Sequence, residues 1–205
     1  MTNQEHGQHV SDRWAEWRRQ IPLQEYHSRW ERMDAEGKST HGEADFIEAL
    51  HPRSVLDAGC GMGRVAIELH RRGIEVEGAD LDDDLLAFAR GDAPHITWHH
   101  ADLSELALDR RFDVVAMPGN VMLFCRPEHR CPIVASLAEH LQPDGLLVAG
   151  FSLDRHPEAL TLAEYDACCS AAGLTLHERF STWERDPYDA QGYSVSVHRS
   201  PLRNG

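Results

Sequence analysis

Apolar positions follow two different spacings along the chain, and the change falls near residue 52. Before it, apolar residues recur every three or four places among charged ones, the spacing of amphipathic helices. In "SDRWAEWRRQIP", Trp14, Trp17 and Ile21 share one face behind a capping Ser11, and Pro22 ends the run. "LQEYHSRWERMDAEG" repeats the pattern with Tyr26, Trp30 and Met33. A third segment turns Ala44, Ile47 and Leu50 inward and stops at Pro52.

From Arg53 the pattern becomes short apolar runs separated by helical stretches. The runs "SVLDA", "IEVEGAD", "ITWHHAD", "FDVVAMP" and "LLVAGFS" predict strands. Helices are expected at 63–72, 82–90 and about 131–141. Strands apolar on both faces, alternating with helices, predict a parallel sheet covered on both sides. Near the end, Thr161 and Glu164 form a capping box for a helix that carries Leu162, Tyr165, Cys169 and Ala172 on one face. "LTLHERFSTW" and "YSVSVHR" then alternate with period two across a polar loop, which predicts an antiparallel hairpin completing the sheet.

The first of these strands runs into "VLDAGCGMGRVAIELHRRG", where Gly59, Gly61 and Gly63 sit between strand and helix. Glycines at such a turn let backbone N–H groups approach a ligand closely. The glycines alone leave the ligand open, because Gly61, Gly63 and Ala66 also satisfy the dinucleotide pattern, and Asp80 follows at the ribose-binding distance in either case. Asp57 narrows the choice. A carboxylate inside the turn repels a pyrophosphate and suits a cation such as an α-amino group or a sulfonium. Asp102 follows the third strand, placed to accept from an adenine amine. Acids after three successive strands describe a site for adenosine joined to an amino acid.

With these residues the chain resembles the class I S-adenosylmethionine-dependent methyltransferases over about residues 53–200. The resemblance implies an α/β fold: a Rossmann-like, seven-stranded, mostly parallel sheet with an antiparallel last strand and helices on both faces. Residues 1–52 would form an N-terminal helical cap, 53–200 the cofactor-binding domain and 201–205 a tail. It implies S-adenosylmethionine as cofactor and S-adenosylhomocysteine as product. Asp57, Gly59, Cys60 and Gly61 would line the methionine moiety, with Met117 and Pro118 at its amino-acid end. Asp80 would bind the ribose hydroxyls beside Leu81, and Ala101, Asp102 and Leu103 would hold the adenine. "HGEADF" resembles the region ahead of this motif in small bacterial stand-alone methyltransferases, so His41 or Glu43 would close over the cofactor. Methyl transfer would be a direct SN2-type displacement in which alignment supplies most of the acceleration.

The acceptor is less legible. After the fourth strand stands "MPGNVMLF", without the Asn-Pro-Pro-Tyr or Pro-Cys motifs of enzymes acting on amides or nucleic-acid bases. Asn120 is the polar candidate for positioning an acceptor, with a turn asparagine as the equal alternative. No large insertion is present, so Tyr26, Trp30, Phe151 and Trp183, with Asp186 nearby, are expected to roof a pocket for a small, partly apolar molecule.

Charge and composition then trim the function classes. The formal charge of −14 opposes nucleic-acid binding. Five cysteines with no C-x-x-C pair are expected to be reduced packing residues. Neither a signal peptide nor a membrane span is legible, so a soluble cytoplasmic protein is expected, monomer or homodimer, with a small-molecule partner and no metal. His95, His99 and His100 lack a completing ligand set. Two other readings stay open. One is a non-catalytic cofactor-binding module or sensor. The other is an NAD-dependent oxidoreductase, disfavoured because the only lysine is Lys38 and no Tyr-x-x-x-Lys pair exists.

Overall fold

The N-terminal helices are α1 (Asp12–Gln20), α2 (Leu23–Ala35) and α3 (Gly42–Glu48). Ser11 caps α1 by accepting from the Trp14 amide, as its position predicts. The structure, a computed structural model, describes residues 11–35, 41–153 and 159–202, with the side chains of 29–31 and 33–35 outside that description. Trp30 and Met33 therefore lie outside the described residues as far as their side chains are concerned. α1 buries none of its residues, whereas Ala44, Phe46 and Ile47 of α3 are fully packed.

The sheet is built from β1 (Ser54–Ala58), β2 (Glu75–Asp80), β3 (Thr97–His100), β4 (Phe112–Met117), β5 (Leu141–Ser152), β6 (Thr175–Phe180) and β7 (Tyr193–Arg199). Its order is β3-β2-β1-β4-β5-β7-β6, with β7 antiparallel to both its neighbours and the other six strands parallel. Helices α4 (Arg64–Arg71) and α5 (Asp83–Asp92) connect the first three strands. Asp82 caps α5 by accepting from Asp84 and Leu85, and Asp83 and Asp84 fill its first turn. The order reverses between β1 and β4, which opens a crevice at their carboxyl ends, where open α/β sheets bind ligands.

Successive strand residues feed two cores, as the double-sided apolar pattern requires. Leu56, Val115, Met117 and Leu147 pack on one face, while Val55, Val114, Ala116 and Val148 pack on the other. The first face is covered by α7 (Pro127–Glu139) and α8 (Leu162–Ala171), the latter opened by the expected Thr161–Glu164 capping box.

Several local features depart from the sequence reading. α7 begins four residues earlier than expected, because Pro127 occupies the first turn, where a missing N–H costs nothing. The one-turn helix α6 (Val121–Phe124) and the 3-10 turn Leu103–Glu105 are too short to leave a periodic signal. The expectation of five reduced cysteines is corrected: Cys131 and Cys168 form a disulfide joining α7 to α8, while Cys60, Cys125 and Cys169 are free and buried. The two partners lie 37 residues apart on different helices, so only tertiary packing brings them together. No described helix is long and apolar enough to cross a membrane.

Candidate functional site

The loop from β1 to α4 folds back over β2, with the Gly59 and Cys60 amides both donating to the Ala79 carbonyl at 2.8 and 3.1 Å. Gly59 has a φ of +79°, and a Cβ there would lie 2.5 Å from Val121 Cγ2. Gly61, with a φ of +55°, has only Leu85 within 4 Å of a notional Cβ, so its backbone faces open space. Its amide donates to Asp80 Oδ2 at 2.7 Å, and Asp82 N–H donates to Asp80 Oδ1 at 2.8 Å. Burial pushes the Asp80 carboxyl up to about 6 in spite of those amides.

Asp57, near the end of β1, is only 1% exposed. Its Oδ2 accepts from the Ala66 amide at 3.1 Å, in the first turn of α4. The chain's own carboxylate thus occupies the helix N-terminus, where a dinucleotide's pyrophosphate would otherwise dock. Its Oδ1 is buried and accepts no hydrogen bond. Burial is the largest effect on this group and raises its pKa to about 7, opposed by the Ala66 amide and the Arg64 guanidinium. A buried acceptor left without a donor costs free energy, and a cationic donor would offset most of it.

These groups floor a cavity of about 220 Å³. Leu81, Asp102 and Leu103 line it too. Asp102 Oδ1 accepts from the Ser104 amide and hydroxyl at 2.8 and 2.6 Å, which fixes the 3-10 turn. Trp14, Trp17, Tyr26 and Phe124 also line the cavity. Trp14 and Trp17 stack with centroids 4.9 Å apart, and Trp17 meets Tyr26 edge-on at 5.6 Å. α1 is tied across the opening at both ends. Ser11 N–H donates to the Phe124 carbonyl at 2.8 Å, and Arg18 Nε and Nη2 donate to Asp82 and Asp84 at 2.7 and 2.6 Å. Arg64 lines the cavity as well, gripped by both carboxylate oxygens of Glu43.

A methyltransferase domain model matches residues 55–145. A solved TehB-like SAM-dependent methyltransferase from Corynebacterium glutamicum is 32% identical to the chain, with a TM-score of 0.78 over 86% of this chain and 97% of that one. The chain belongs to the S-adenosylmethionine-dependent methyltransferases. A Streptomyces venezuelae dTDP-3-amino-3,4,6-trideoxy-alpha-D-glucopyranose N,N-dimethyltransferase is 34% identical over 108 residues, covering 51% of this chain and 46% of that protein. The matches to such curated relatives span about half of their length. An amino pentose methyltransferase from Micromonospora echinaspora shares the fold at 19% identity, with a TM-score of 0.64 over 86% of this chain and 97% of that one.

Within this methyltransferase, the sequence-assigned residues divide by position. Asp57, Gly59, Cys60, Gly61 and Asp80 face one cavity. So do Leu81, Asp102, Leu103, Pro118 and Tyr26. The others do not line it. Met117 is fully buried in the core, and Ala101 packs against the same cluster while its amide donates to the Asp80 carbonyl. Phe151, assigned to the roof, is instead fully buried against Tyr165 of α8. Trp183, assigned likewise, packs edge-on against Phe46 and donates from Nε1 to the Tyr193 hydroxyl at 3.1 Å. Asp186 is exposed and holds the local turn through Thr182.

Asn120, His41 and Glu43, the polar candidates near the methyl position, also lie outside the cavity lining. Asn120 has a φ of +66° and its Oδ1 accepts from the Ser152 amide at 2.8 Å, so its side-chain carbonyl fastens the β4 loop to β5. His41 caps α3 with Nε2 3.9 Å from Glu68, and Glu43 is committed to Arg64; neither lines the cavity. Conversely, Trp14, Trp17, Phe124 and Arg64 line it without having been assigned there. Two tryptophans on a helix otherwise made mostly of charged residues were the available signal; Phe124 left none.

Proposed function

We propose that this protein transfers a methyl group from S-adenosylmethionine to a small-molecule acceptor. The observation that carries the reading is Asp57, a residue of the cavity lining whose buried Oδ1 has no hydrogen-bond partner. The residues present fit the cofactor: Asp57 would hold its ammonium group, and the exposed backbone at Gly61 would admit its chain. Asp80 has lone pairs left for the ribose hydroxyls after its two amide bonds, and Asp102 with Leu103 would receive the adenine. When bound, S-adenosylmethionine supplies a methyl group activated by a sulfonium and open to in-line displacement. The remaining work is orientation and exclusion of water, for which α1 and its rings are placed over the floor. Donors from the cofactor would favour the charged forms of Asp57 and Asp80, so binding should release protons to solvent.

The Streptomyces venezuelae relative is named for a nucleotide-linked amino sugar; here the acceptor class is taken only as a small molecule. We take residues 1–52 as a cap on a 53–200 domain, followed by the 201–205 tail, working in the cytoplasm as a monomer or homodimer without a nucleic-acid partner. Calorimetric titration with S-adenosylmethionine, S-adenosylhomocysteine and NADH tests the reading. Micromolar binding of the first two, lost in Asp80→Ala, is expected. Binding of NADH alone would move the protein to the oxidoreductases. Cofactor binding without turnover across a broad acceptor screen would favour a non-catalytic sensor.

A further inference from the structure

We infer that the acceptor is an amine bearing no phosphate or carboxylate, seated against the ring surface of Trp14, Trp17, Tyr26 and Phe124. The inference rests on the methyltransferase reading above and concerns the part of the same cavity that the cofactor-directed acids leave over.

Charge is the first argument. Asp57, Asp80 and Asp102 line the cavity. Among the described lining residues the one guanidinium is Arg64, and Glu43 already takes two of its N–H groups, at 3.1 and 2.5 Å. The α4 N-terminus, the other ordinary socket for an anion, accepts Asp57 through the Ala66 amide. The cofactor brings a carboxylate of its own, so beside it a further phosphate or carboxylate would lose water next to like charges and gain no unpaired cation, which a neutral or cationic acceptor avoids.

Ring chemistry is the second. Trp14 and Trp17 stack at 4.9 Å, and Phe124 lies 5.7 and 5.9 Å from them. Aromatic faces attract ammonium groups, and methylated ones in particular, because the ring quadrupole needs no hydrogen bond from the guest.

The third argument is the supply of bases. No histidine or lysine is among the described residues lining the cavity. In the reading above, the oxygens that Asp57, Asp80 and Asp102 keep beyond their backbone amides go to the cofactor's ammonium, ribose hydroxyls and adenine, and burial pushes the Cys125 thiol up to about 12. An alcohol holds its proton far more tightly than an ammonium does and needs a base to expose its nucleophile, whereas the bound ammonium first gives up one proton to water, which leaves a lone pair on nitrogen. That lone pair forms the new N–CH₃ bond while the S–CH₃ bond breaks and leaves its electrons on sulfur. The positive charge passes from sulfur to nitrogen, and the nitrogen's proton then leaves to water.

The test uses three probes with one ring and different charge, phenethylamine, phenylacetate and phenyl phosphate. Each is titrated into the full chain saturated with S-adenosylhomocysteine, by calorimetry and by tryptophan fluorescence. Phenethylamine is expected to bind at least about tenfold more tightly than either anion and to quench the fluorescence. Trp17→Phe should keep that preference and Trp17→Leu should lose it; Tyr26→Leu serves if the latter does not fold. Equal or tighter binding of an anion, an unchanged preference in the leucine variants, or no binding of any probe would each overturn the inference. Those results leave the cofactor reading standing, whereas failure of S-adenosylhomocysteine itself to bind overturns both.

Discussion

Two aromatic clusters of similar make-up sit in this molecule and have opposite fates. In one, Phe46 meets Phe180 and Trp183 edge-on at 5.5 and 5.3 Å, and the chain's own Arg185 lies over Phe46 at 4.5 Å and Phe180 at 5.6 Å. The Arg185 Nη2 also donates to the Phe46 carbonyl at 3.3 Å. That cluster is complete: Phe46 is 1% exposed and the cation it attracts is built in. In the other, Trp14, Trp17, Tyr26 and Phe124 line a cavity, the two tryptophans on a helix that buries nothing. The same residue types therefore stabilise the fold where the chain fills the space between them, and serve a ligand where it does not.

The largest expected effect falls on the filled cluster. Phe46→Ala should cost about 3–5 kcal/mol of stability, the range for emptying a packed aromatic site, visible as a lower urea midpoint. Next comes the floor of the open one. Asp57→Asn should weaken S-adenosylhomocysteine about a hundredfold, since it removes a buried charge from its cationic partner, and calorimetry reads this directly. The same variant should be more stable than the parent at pH 8. The folded pKa of Asp57, about 7, stands above its ordinary 3.8, so the fold binds the extra proton and stability falls as pH rises across that window. The difference in melting temperature should shrink as pH drops toward 4; a difference that stays constant would mean the carboxyl is ionised throughout.

A smaller effect is expected from pH alone. A cation needs Asp57 ionised, so affinity for S-adenosylhomocysteine should rise about tenfold from pH 6 to pH 8 and level off above, as follows from a group titrating near 7. Asp57→Asn should flatten that profile. The smallest belongs to the tie holding the open cluster in place. Arg18→Gln should weaken binding by only about threefold, and less in high salt, because the pair with Asp82 and Asp84 is partly exposed to water.

Legibility in the sequence followed the physics of each segment. β1 and β7 were readable to the residue, because burial on both faces of one and strict alternation in the other leave unmistakable patterns. The glycine loop and Asp57, Asp80 and Asp102 were readable as chemistry, since each sits where a strand ends. Phe151 and Trp183, expected at the roof, lie outside the cavity lining, because a strand-end aromatic and a loop aromatic look alike until the opposite surface is known. Here Tyr165 covers the first and Tyr193 holds the second. Asn120 spent its carbonyl on a β5 amide, a bond formed with a residue 32 positions away that no local pattern records. The Cys131–Cys168 disulfide was hidden for the same reason.

The strand order has a consequence for how the molecule assembles. β6 pairs only with β7, and β7 alone joins it to β5. A strand earlier in the chain therefore waits for a later one before it has any place in the sheet. The five parallel strands that carry the cavity floor can pair without either, so the ligand-facing edge has a route to form first. The Phe46, Phe180 and Trp183 cluster, which draws on the segment between β6 and β7, closes afterwards. Long-range pairings of this kind are slow to form, so the filled cluster, the more deeply buried of the two once made, would be the last part of the protein to arrive.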